Sequence, residues 1–136
     1  YKLKSAVSFK ESDSSSSSDS GNGSMVSYAM QFLGNRYVWG GTSLTNGTDC
    51  SGFTMGIYRH FGISIPRTSA AQASASRSVK SSEVRPGDLF FYGSGHVSHV
   101  AMYIGGGKII HASNARDGIK ISNAYYRKPL KIGRFS

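Results

Sequence analysis

The sequence predicts an α+β fold in which N-terminal helices pack on an antiparallel β-sheet. Two observations carry this prediction. Apolar residues recur with helical spacing only in the first part of the chain, and from residue 84 short β-rich runs are split by Gly, Asn and Asp. Helices followed by strands, without alternation, favour antiparallel pairing. The length of 136 residues and the hydrophobic content of 38% suit one domain with a modest core.

The first 23 residues are predicted to lie outside the folded domain. Residues 11–24 consist almost entirely of Ser, Asp, Gly and Asn, and they lack the apolar side chains that would offset the entropy lost on ordering. We therefore expect residues 1–23 to be a flexible Ser-rich linker that includes the end of a preceding domain. Residues 24–136 are expected to form the folded domain.

The first predicted helix begins directly after this linker. Ser24 is a favourable N-cap residue, and Gly34 is a favourable C-terminal stop. The predicted buried stripe of this helix consists of Val26, Ala29, Met30 and Leu33. Residues 35–47 are rich in Gly, Asn and Thr, and we expect them to form a loop.

Two further helices are predicted before the sheet. Residues 50–61 carry apolar residues at intervals of four, and Pro66 follows the segment. These apolar residues are Phe53, Ile57 and Phe61. Residues 68–76 have the composition of a short helix of small side chains, which either lets another surface approach closely or forms a mobile surface helix.

The folded domain is basic. The net charge of +9 arises entirely after residue 24, where thirteen Lys and Arg face four Asp and Glu. Such a surface favours encounter with a polyanion, although a solvated basic surface without a specific partner is the alternative. The chain contains no aromatic-basic RNA motif and no basic recognition helix, which disfavours nucleic acid. No apolar run approaches the ~20 residues of a membrane span.

Cys50 is the only cysteine in the chain, so it cannot form an internal disulfide. Asp49 is a good N-cap residue, which makes Cys50 the first residue of the second helix. There the helix dipole and unpaired N–H groups favour a thiolate, and we expect a lowered pKa. Gly52 is expected to leave room beside the thiol for another chain to approach. The alternative, a buried structural cysteine, does not require Asp, Ser and Gly on its flanks.

A thiolate nucleophile needs a base that also reprotonates a leaving amine, and the chain offers four histidines. His99 and His111 lie in predicted strands. We expect His96 to be exposed in a glycine-rich loop and His60 to be a solvated residue near the end of its helix. The residues that share a face with His99 by strand alternation are Val97, Ala101 and Tyr103.

Three consecutive glycines, residues 105–107, are predicted to form the turn of a hairpin between the two histidine strands. If all three form the loop, Ile104 pairs with Lys108, and His99 and His111 become diagonal neighbours on one face, roughly 7–8 Å apart. A two-residue loop places them on opposite faces. The functional interpretation, a base oriented by a second imidazole, requires that they share a face.

Four segments occur in a specific order: YVWGGTSLTNGTDCSGF, PRTSAAQ, RPGDLFFY and SHVAMYIGGGKIIHAS. In this order and spacing they closely resemble the NlpC/P60 family of bacterial cell-wall peptidases, over about residues 24–136. The resemblance implies a papain-like α+β fold and makes residues 24–136 a catalytic domain. Arg36 departs from the family pattern, in which a proline commonly precedes the tyrosine. Arg67 is expected to have a surface role, and the alternative is contact with a substrate carboxylate through its planar guanidinium.

The resemblance also assigns roles to single residues. It implies that Cys50 is the nucleophile, His99 the base, and His111 the third, polar group. It further implies that Tyr37 lines the site and helps to hold the oxyanion. The residues implied to recognise the amine and amide ends of the substrate are Asp49 and Ser51.

The implied activity is that of a peptidoglycan hydrolase, a cysteine endopeptidase that cleaves the bond between D-γ-glutamate and a diamino acid through an acyl-enzyme. This chemistry requires no metal and no other cofactor. The expected partners are peptidoglycan stem peptides and anionic wall polymers, without nucleic acid and without a membrane span. We expect a monomer that is secreted or cell-wall associated.

Other functions stay open at this level. The same scaffold could act as an amidase or a transpeptidase, and a domain without turnover could serve as a wall-binding module. Zinc hydrolysis through Cys50 and the histidines is disfavoured. His96 and His99 lie three residues apart in an extended run, so they point to opposite faces, and the metalloprotease motif H-E-x-x-H is absent.

Overall fold

The computed structural model describes residues 21–135, so the predicted linker lies almost wholly outside the described residues. Three helices pack on one face of a six-stranded sheet, which confirms the predicted α+β fold. The helices are α1 (Gly21–Met30), α2 (Cys50–His60) and α3 (Ser69–Ala75). The strands are β1 (Thr42–Ser43), β2 (Gly47–Thr48), β3 (Arg77–Ser78), β4 (Leu89–Tyr92), β5 (His99–Gly105), β6 (Lys108–Ala112), β7 (Ile119–Asn123) and β8 (Lys131–Arg134). Within residues 21–135, no helix is long and apolar enough to cross a membrane.

The main sheet has the strand order β3-β8-β4-β5-β6-β7, and every neighbouring pair is antiparallel. The strands β1 and β2 form a separate two-stranded hairpin that packs beside α2. Residues 35–47, predicted as a loop, therefore contain β1 and the first residue of β2. The segment is rich in Gly and Thr, and its two-residue strands are too short to be predicted from composition.

The hairpin of β5 and β6 sets the positions of the two candidate histidines. Tyr103 pairs with Ile109, which is the register of a three-residue loop, but the register then shifts and Gly105 pairs with Lys108. The loop therefore has two residues, and a β-bulge between Tyr103 and Gly105 absorbs the difference. The expectation that a two-residue loop separates the histidines is wrong, because the bulge restores the register that keeps them on one face.

Each face of the main sheet carries an apolar cluster. The helix-facing cluster joins the three helices to the sheet, and its fully buried members include Phe53, Ile57, Val100 and Met102. The cluster on the opposite face consists of Phe90, Tyr92, Ala101, Ile109, Ala124 and Ile132. Because α2 lies in the first cluster, its N-terminal residue reaches the sheet next to β5.

Helix α1 differs from its prediction in two respects. Ser24 lies within Gly21–Met30 and is not the N-cap. The buried side chains are Met25, Ala29 and Phe32, while Leu33 is 39% exposed. Adjacent apolar residues occur three times between residues 25 and 33, so the sequence allows two stripes, and the sheet selects the one that contains Met25 and Phe32. Gly34 adopts a positive φ of 87° in the turn after the helix, as its predicted stop role requires.

Helix α2 begins at the predicted residue. Asp49 has an extended backbone, and its carboxylate accepts a hydrogen bond from the N–H of Gly52 at 2.8 Å, which confirms it as the N-cap. A Cβ on Gly52 would lie 2.4 Å from the carbonyl oxygen of Gly41. The room beside Gly52 is therefore filled by the molecule's own β1 segment, and this close contact fixes the hairpin against the start of α2.

A buried ion pair joins β8 to the segment before β4. Arg134 donates from Nε and Nη2 to the two carboxylate oxygens of Asp88, both at 2.8 Å, and the side chains are only 8% and 1% exposed. We expect Asp88→Ala to lower the free energy of unfolding by about 3–5 kcal/mol, because it leaves a buried guanidinium without its partner. Urea denaturation measures this loss.

Asp117 provides the matched control for that variant. Its carboxylate pairs with Lys120 and Arg116 at the surface. We expect Asp117→Ala to lower the free energy of unfolding far less than Asp88→Ala does, since exposed ion pairs contribute little. Equal losses for the two variants would contradict a stabilising role of the buried pair.

Candidate active site

Cys50 is half-buried at the start of α2, where it packs against the helix-facing cluster. Burial raises the pKa of its thiol, and this effect outweighs the opposing effect of the backbone N–H groups of Val100, Ser51 and Cys50 itself. The negative charge of Asp49 also raises the pKa. The expectation of a lowered pKa is therefore wrong. The resting group is a neutral thiol, although the N–H groups directed at it are positioned to stabilise negative charge.

His99 and His111 are in direct contact. Nε2 of His99 lies 2.7 Å from Nδ1 of His111, and Nε2 of His111 lies 2.9 Å from Oγ of Ser122. Two sets of tautomers satisfy this chain, because the Ser122 hydroxyl can accept or donate. In the set that leaves a base at His99, its Nε2 donates to Nδ1 of His111, and Nε2 of His111 donates to the serine. Nδ1 of His99 then carries a free lone pair, so it is the nitrogen that can accept a proton.

Both imidazoles are neutral in the free protein. Burial, followed by the positive charge of Arg127, lowers the pKa of His99 to about 4. Burial, followed by the charges of His99 and Lys120, lowers the pKa of His111 to about 3. His99 can therefore serve as a base over the whole neutral range. Protonation of His99 is compatible with the same contact, since its Nε2–H donates to His111 in either state.

His99 lies where the chain crosses between the two sheet faces. Val97 packs with the helix-facing cluster, whereas Ala101 packs on the opposite face. Val97 was predicted to share the face of His99, and this is wrong because strand alternation begins only at His99, the first residue of β5. At this crossing His99 is adjacent to Val100, whose N–H is directed at Cys50. Among the hydrogen bonds of residues 21–135, none joins Sγ to either imidazole.

Tyr37 lies on the other side of the thiol. It forms a parallel β-bridge with Thr48, directly before the N-cap of α2. Burial, and then the charges of Cys50 and Asp49, raise the pKa of its hydroxyl. The hydroxyl therefore stays protonated and is a hydrogen-bond donor near the sulfur. Trp39, two residues further along, is 86% exposed.

Asp49 and Ser51 are held by an arginine. Both amino groups of the Arg67 guanidinium donate to the Asp49 carboxylate, at 3.1 and 3.0 Å, and one also donates to the Ser51 hydroxyl at 2.8 Å. Burial raises the pKa of Asp49, but the bonds from Arg67, Gly52 and Gly40 outweigh it and hold the pKa below its ordinary value. Arg67 is therefore not a free surface residue, as the sequence led us to expect.

Gln72 is a residue of this region that the sequence analysis missed. Its fully buried amide donates to the carbonyls of Ser51 and Pro66, at 3.1 and 2.8 Å, and accepts from the hydroxyl of Thr54 at 2.8 Å. It ties α3 to the first turn of α2 and to the segment that carries Arg67. Its place in the PRTSAAQ segment, within an otherwise small-residue helix, was the available signal.

His96 and His60 do not join the site. His96 is exposed in the loop before β5, as predicted. His60 is the last residue of α2, and its exposed ring stacks on Tyr28 with centroids 3.8 Å apart. Within residues 21–135, no group of three or more His, Cys, Asp or Glu has a metal-binding arrangement.

Comparison with known proteins identifies the family of this chain. Residues 34–132 match the model of the NlpC/P60 family. The chain belongs to the NlpC/P60 family. The matched segment contains all six candidate site residues: Tyr37, Asp49, Cys50, Ser51, His99 and His111. The resemblance inferred from the four sequence segments is confirmed.

Named relatives of this NlpC/P60 chain include two curated proteins. It is 43% identical over 103 residues to the probable endopeptidase p60 of Listeria innocua, which covers 74% of this chain and 21% of that protein. It is 44% identical over 101 residues to the gamma-D-glutamyl-L-lysine dipeptidyl-peptidase of Bacillus cereus, covering 71% and 30%. The chain thus spans less than a third of the length of either relative.

A solved structure shows the same NlpC/P60 fold. The NlpC/p60 domain of the peptidoglycan hydrolase SagA superposes with a TM-score of 0.76 at 34% sequence identity, covering 84% of this chain and 98% of that chain. This agreement supports the antiparallel sheet with helices on one face as the architecture of the domain.

Proposed function

We propose that this NlpC/P60 domain is a cysteine endopeptidase that hydrolyses peptidoglycan stem peptides at the bond between D-γ-glutamate and a diamino acid. The observation that carries the proposal is the 2.7 Å contact between Nε2 of His99 and Nδ1 of His111, because Nδ1 of His99 can act as the base when Nε2 holds the proton in this contact. The names of the relatives, an endopeptidase and a gamma-D-glutamyl-L-lysine dipeptidyl-peptidase, support the substrate class.

The proposed reaction starts from a neutral thiol and a neutral imidazole. As Sγ of Cys50 attacks the scissile carbonyl carbon, its proton moves to Nδ1 of His99. The C–N bond then breaks, and the imidazolium gives this proton to the departing amine, which leaves a thioester. Water attacks the thioester while Nδ1 takes its proton, and collapse of the second intermediate releases the acid and returns the proton to Sγ.

His111 stabilises the imidazolium in each of these steps. When Nδ1 of His99 is protonated, its Nε2–H still donates to His111, and the charge strengthens that bond. His111 is in turn held by Ser122. A neutral acceptor in this position orients the ring and does not itself take a proton.

The oxyanion has two sources of donors in this proposal. The backbone N–H of Cys50 lies at the positive end of α2, and the protonated hydroxyl of Tyr37 lies near the sulfur. Each such donor typically contributes about 3 kcal/mol of transition-state stabilisation. The clamp of Asp49, Ser51 and Arg67 is fixed beside the nucleophile, and we assign Asp49 and Ser51 to the recognition of the substrate's amine and amide ends.

The location proposed for this activity is the cell wall, reached by secretion, because stem peptides are found there. No cofactor enters the scheme, and the domain acts as a monomer.

Mass spectrometry of products from purified muropeptides tests the function. We incubate the protein with two muropeptide sets, one with lysine and one with diaminopimelate at the third position of the stem. The expected fragments end at D-γ-glutamate, and the matched Cys50→Ala protein releases none. Release of the intact stem peptide from the sugar would contradict the proposal and indicate an amidase. Products of higher mass would indicate a transpeptidase, and binding without any product would indicate a wall-binding module.

A further inference from the structure

A second concave surface lies away from the candidate active site, on the sheet face opposite the helices. It is a groove of about 410 Å³ between the end of β3, strand β8 and the loop that joins β7 to β8. Its lining residues are Val79, Ser81, Tyr125, Lys128, Pro129, Lys131 and Ile132. None of these residues belongs to the candidate catalytic or substrate-binding set.

The charge of the groove has one sign. Its lining contains two lysines and no acidic residue. Residues 118–136 contain five Lys and Arg and no Asp or Glu. Arg134 is neutralised by the buried Asp88, but Lys128 is exposed. Nζ of Lys131 donates to the carbonyls of Ala73 and Ser76 at the end of α3, so this ammonium is directed toward the helix and Lys128 is the lining residue that offers a free positive charge.

The apolar part of the groove is held in place before any ligand binds. Tyr125 is 51% exposed, yet its ring packs edge-on against the buried Phe90 with centroids 5.6 Å apart. Its backbone N–H is bound by the side chain of Asn123 at 2.9 Å. At the other end of the loop, the N–H of Leu130 donates to the carbonyl of Phe91 at 2.7 Å. A ligand therefore meets a preformed aromatic surface and loses little affinity to ordering it.

The loop also reaches the candidate catalytic histidines. The ring of Tyr126 lies 5.9 Å from that of His111 and 5.3 Å from that of Tyr92. The residues of the groove are thus continuous in sequence with a residue that packs on the histidine pair.

We propose that this groove binds a phosphodiester polymer of the cell wall, a chain of polyol units joined by phosphates. This inference rests on the proposed function, which places the domain in the wall. Lysine ammonium groups bind phosphate as point charges, and the carbon backbone of the polyol packs on Tyr125 and Pro129. A neutral sugar chain would leave the charge of Lys128 unmatched.

Titration calorimetry with soluble poly(glycerol phosphate) tests the groove. The variant Lys80→Glu/Lys128→Glu changes an exposed lining lysine and the exposed lysine between the lining residues Val79 and Ser81. We expect its Kd to be about ten-fold weaker or more, since each opposite-charge contact near 4 Å in water is worth roughly a factor of five. The wild-type Kd is expected to weaken as salt rises from 50 to 200 mM.

The control variant Arg59→Glu/Lys108→Glu makes the same change in net charge at two exposed positions outside the groove. It is expected to weaken binding by less than about three-fold. Equal weakening by both pairs, or no binding of the polymer to the wild-type protein, would overturn the proposal. Loss of binding in Tyr125→Ala together with full binding in the lysine variant would also overturn it and would indicate a neutral sugar ligand.

Hydrolysis of a soluble muropeptide separates this inference from the proposed function. We expect the lysine variant to keep its kcat/KM within about two-fold, because its changed residues do not touch the candidate site. If the wild-type protein binds the polymer but does not hydrolyse the muropeptide, the proposed activity is overturned and the proposed binding role of the groove stands. If it hydrolyses the muropeptide but does not bind the polymer, the binding role of the groove is overturned and the proposed activity stands.

Discussion

His99→Ala is expected to lower kcat/KM on a stem peptide by roughly 10⁴-fold or more, about as much as Cys50→Ala. The thiol of Cys50 is neutral at rest because burial raises its pKa. It therefore depends on a base at the moment of attack, more than a preformed thiolate would. Without Nδ1 of His99 the sulfur keeps its proton, and the leaving amine has no acid. Quantitative chromatography of released peptide measures the rates.

His96→Ala provides the matched control for this experiment. His96 is exposed in the loop before β5 and is only three residues away in sequence. Its variant is expected to keep activity within about two-fold. Thermal unfolding shows whether each variant is folded, and we expect no large loss for any of them. A folded His99→Ala protein within ten-fold of wild type would remove His99 from the proposed mechanism.

The sequence predicted the position of Cys50 correctly, but not the direction of its pKa shift. N-capping by Asp49 and helical periodicity are local properties, so the position of Cys50 at the start of α2 followed from a few neighbouring residues. The direction of its pKa shift did not follow. Local reasoning included the helix dipole, but the larger effect is burial, which depends on how the helix packs against the sheet.

The shared face of His99 and His111 was predicted correctly, but the turn that produces it was not. Strand alternation and the three glycines predicted that His99 and His111 share a face, and they are in contact at 2.7 Å. The bulge between Tyr103 and Gly105 was not predictable, because Gly105 and its neighbours tolerate several turn geometries.

The supporting residues were hardest to predict. Arg67 and Gln72 act through partners that lie 16 to 21 residues away in sequence, namely Asp49 and the first turn of α2. No spacing rule along the chain links them to Cys50. Only the packing of the two helices brings these side chains together.

His111→Ala is expected to lower kcat/KM by about 10 to 100-fold, clearly less than His99→Ala. The lost contact is a hydrogen bond to a group that becomes charged during the reaction, and such bonds contribute about 1.5–3 kcal/mol. His99 keeps its position at the start of β5 and its free Nδ1 in this variant, so proton transfer continues with a less well-oriented ring. His111→Asn is the matched variant, because its side-chain oxygen can replace Nδ1 as the acceptor, and we expect it to retain most of the activity.

The pH profile separates an orienting role of His111 from a merely structural one. In the wild type, the imidazole of His99 must be neutral to act as base, and its pKa is about 4. Activity is therefore expected to persist below pH 6 and to fall as the pH approaches 4. The truncation in His111→Ala admits water next to His99 and reduces the effect of burial, so its pKa rises and the acid limb moves toward the ordinary value near 6.5. An unchanged acid limb with reduced kcat would contradict this, and a loss equal to that of His99→Ala would make His111 the base.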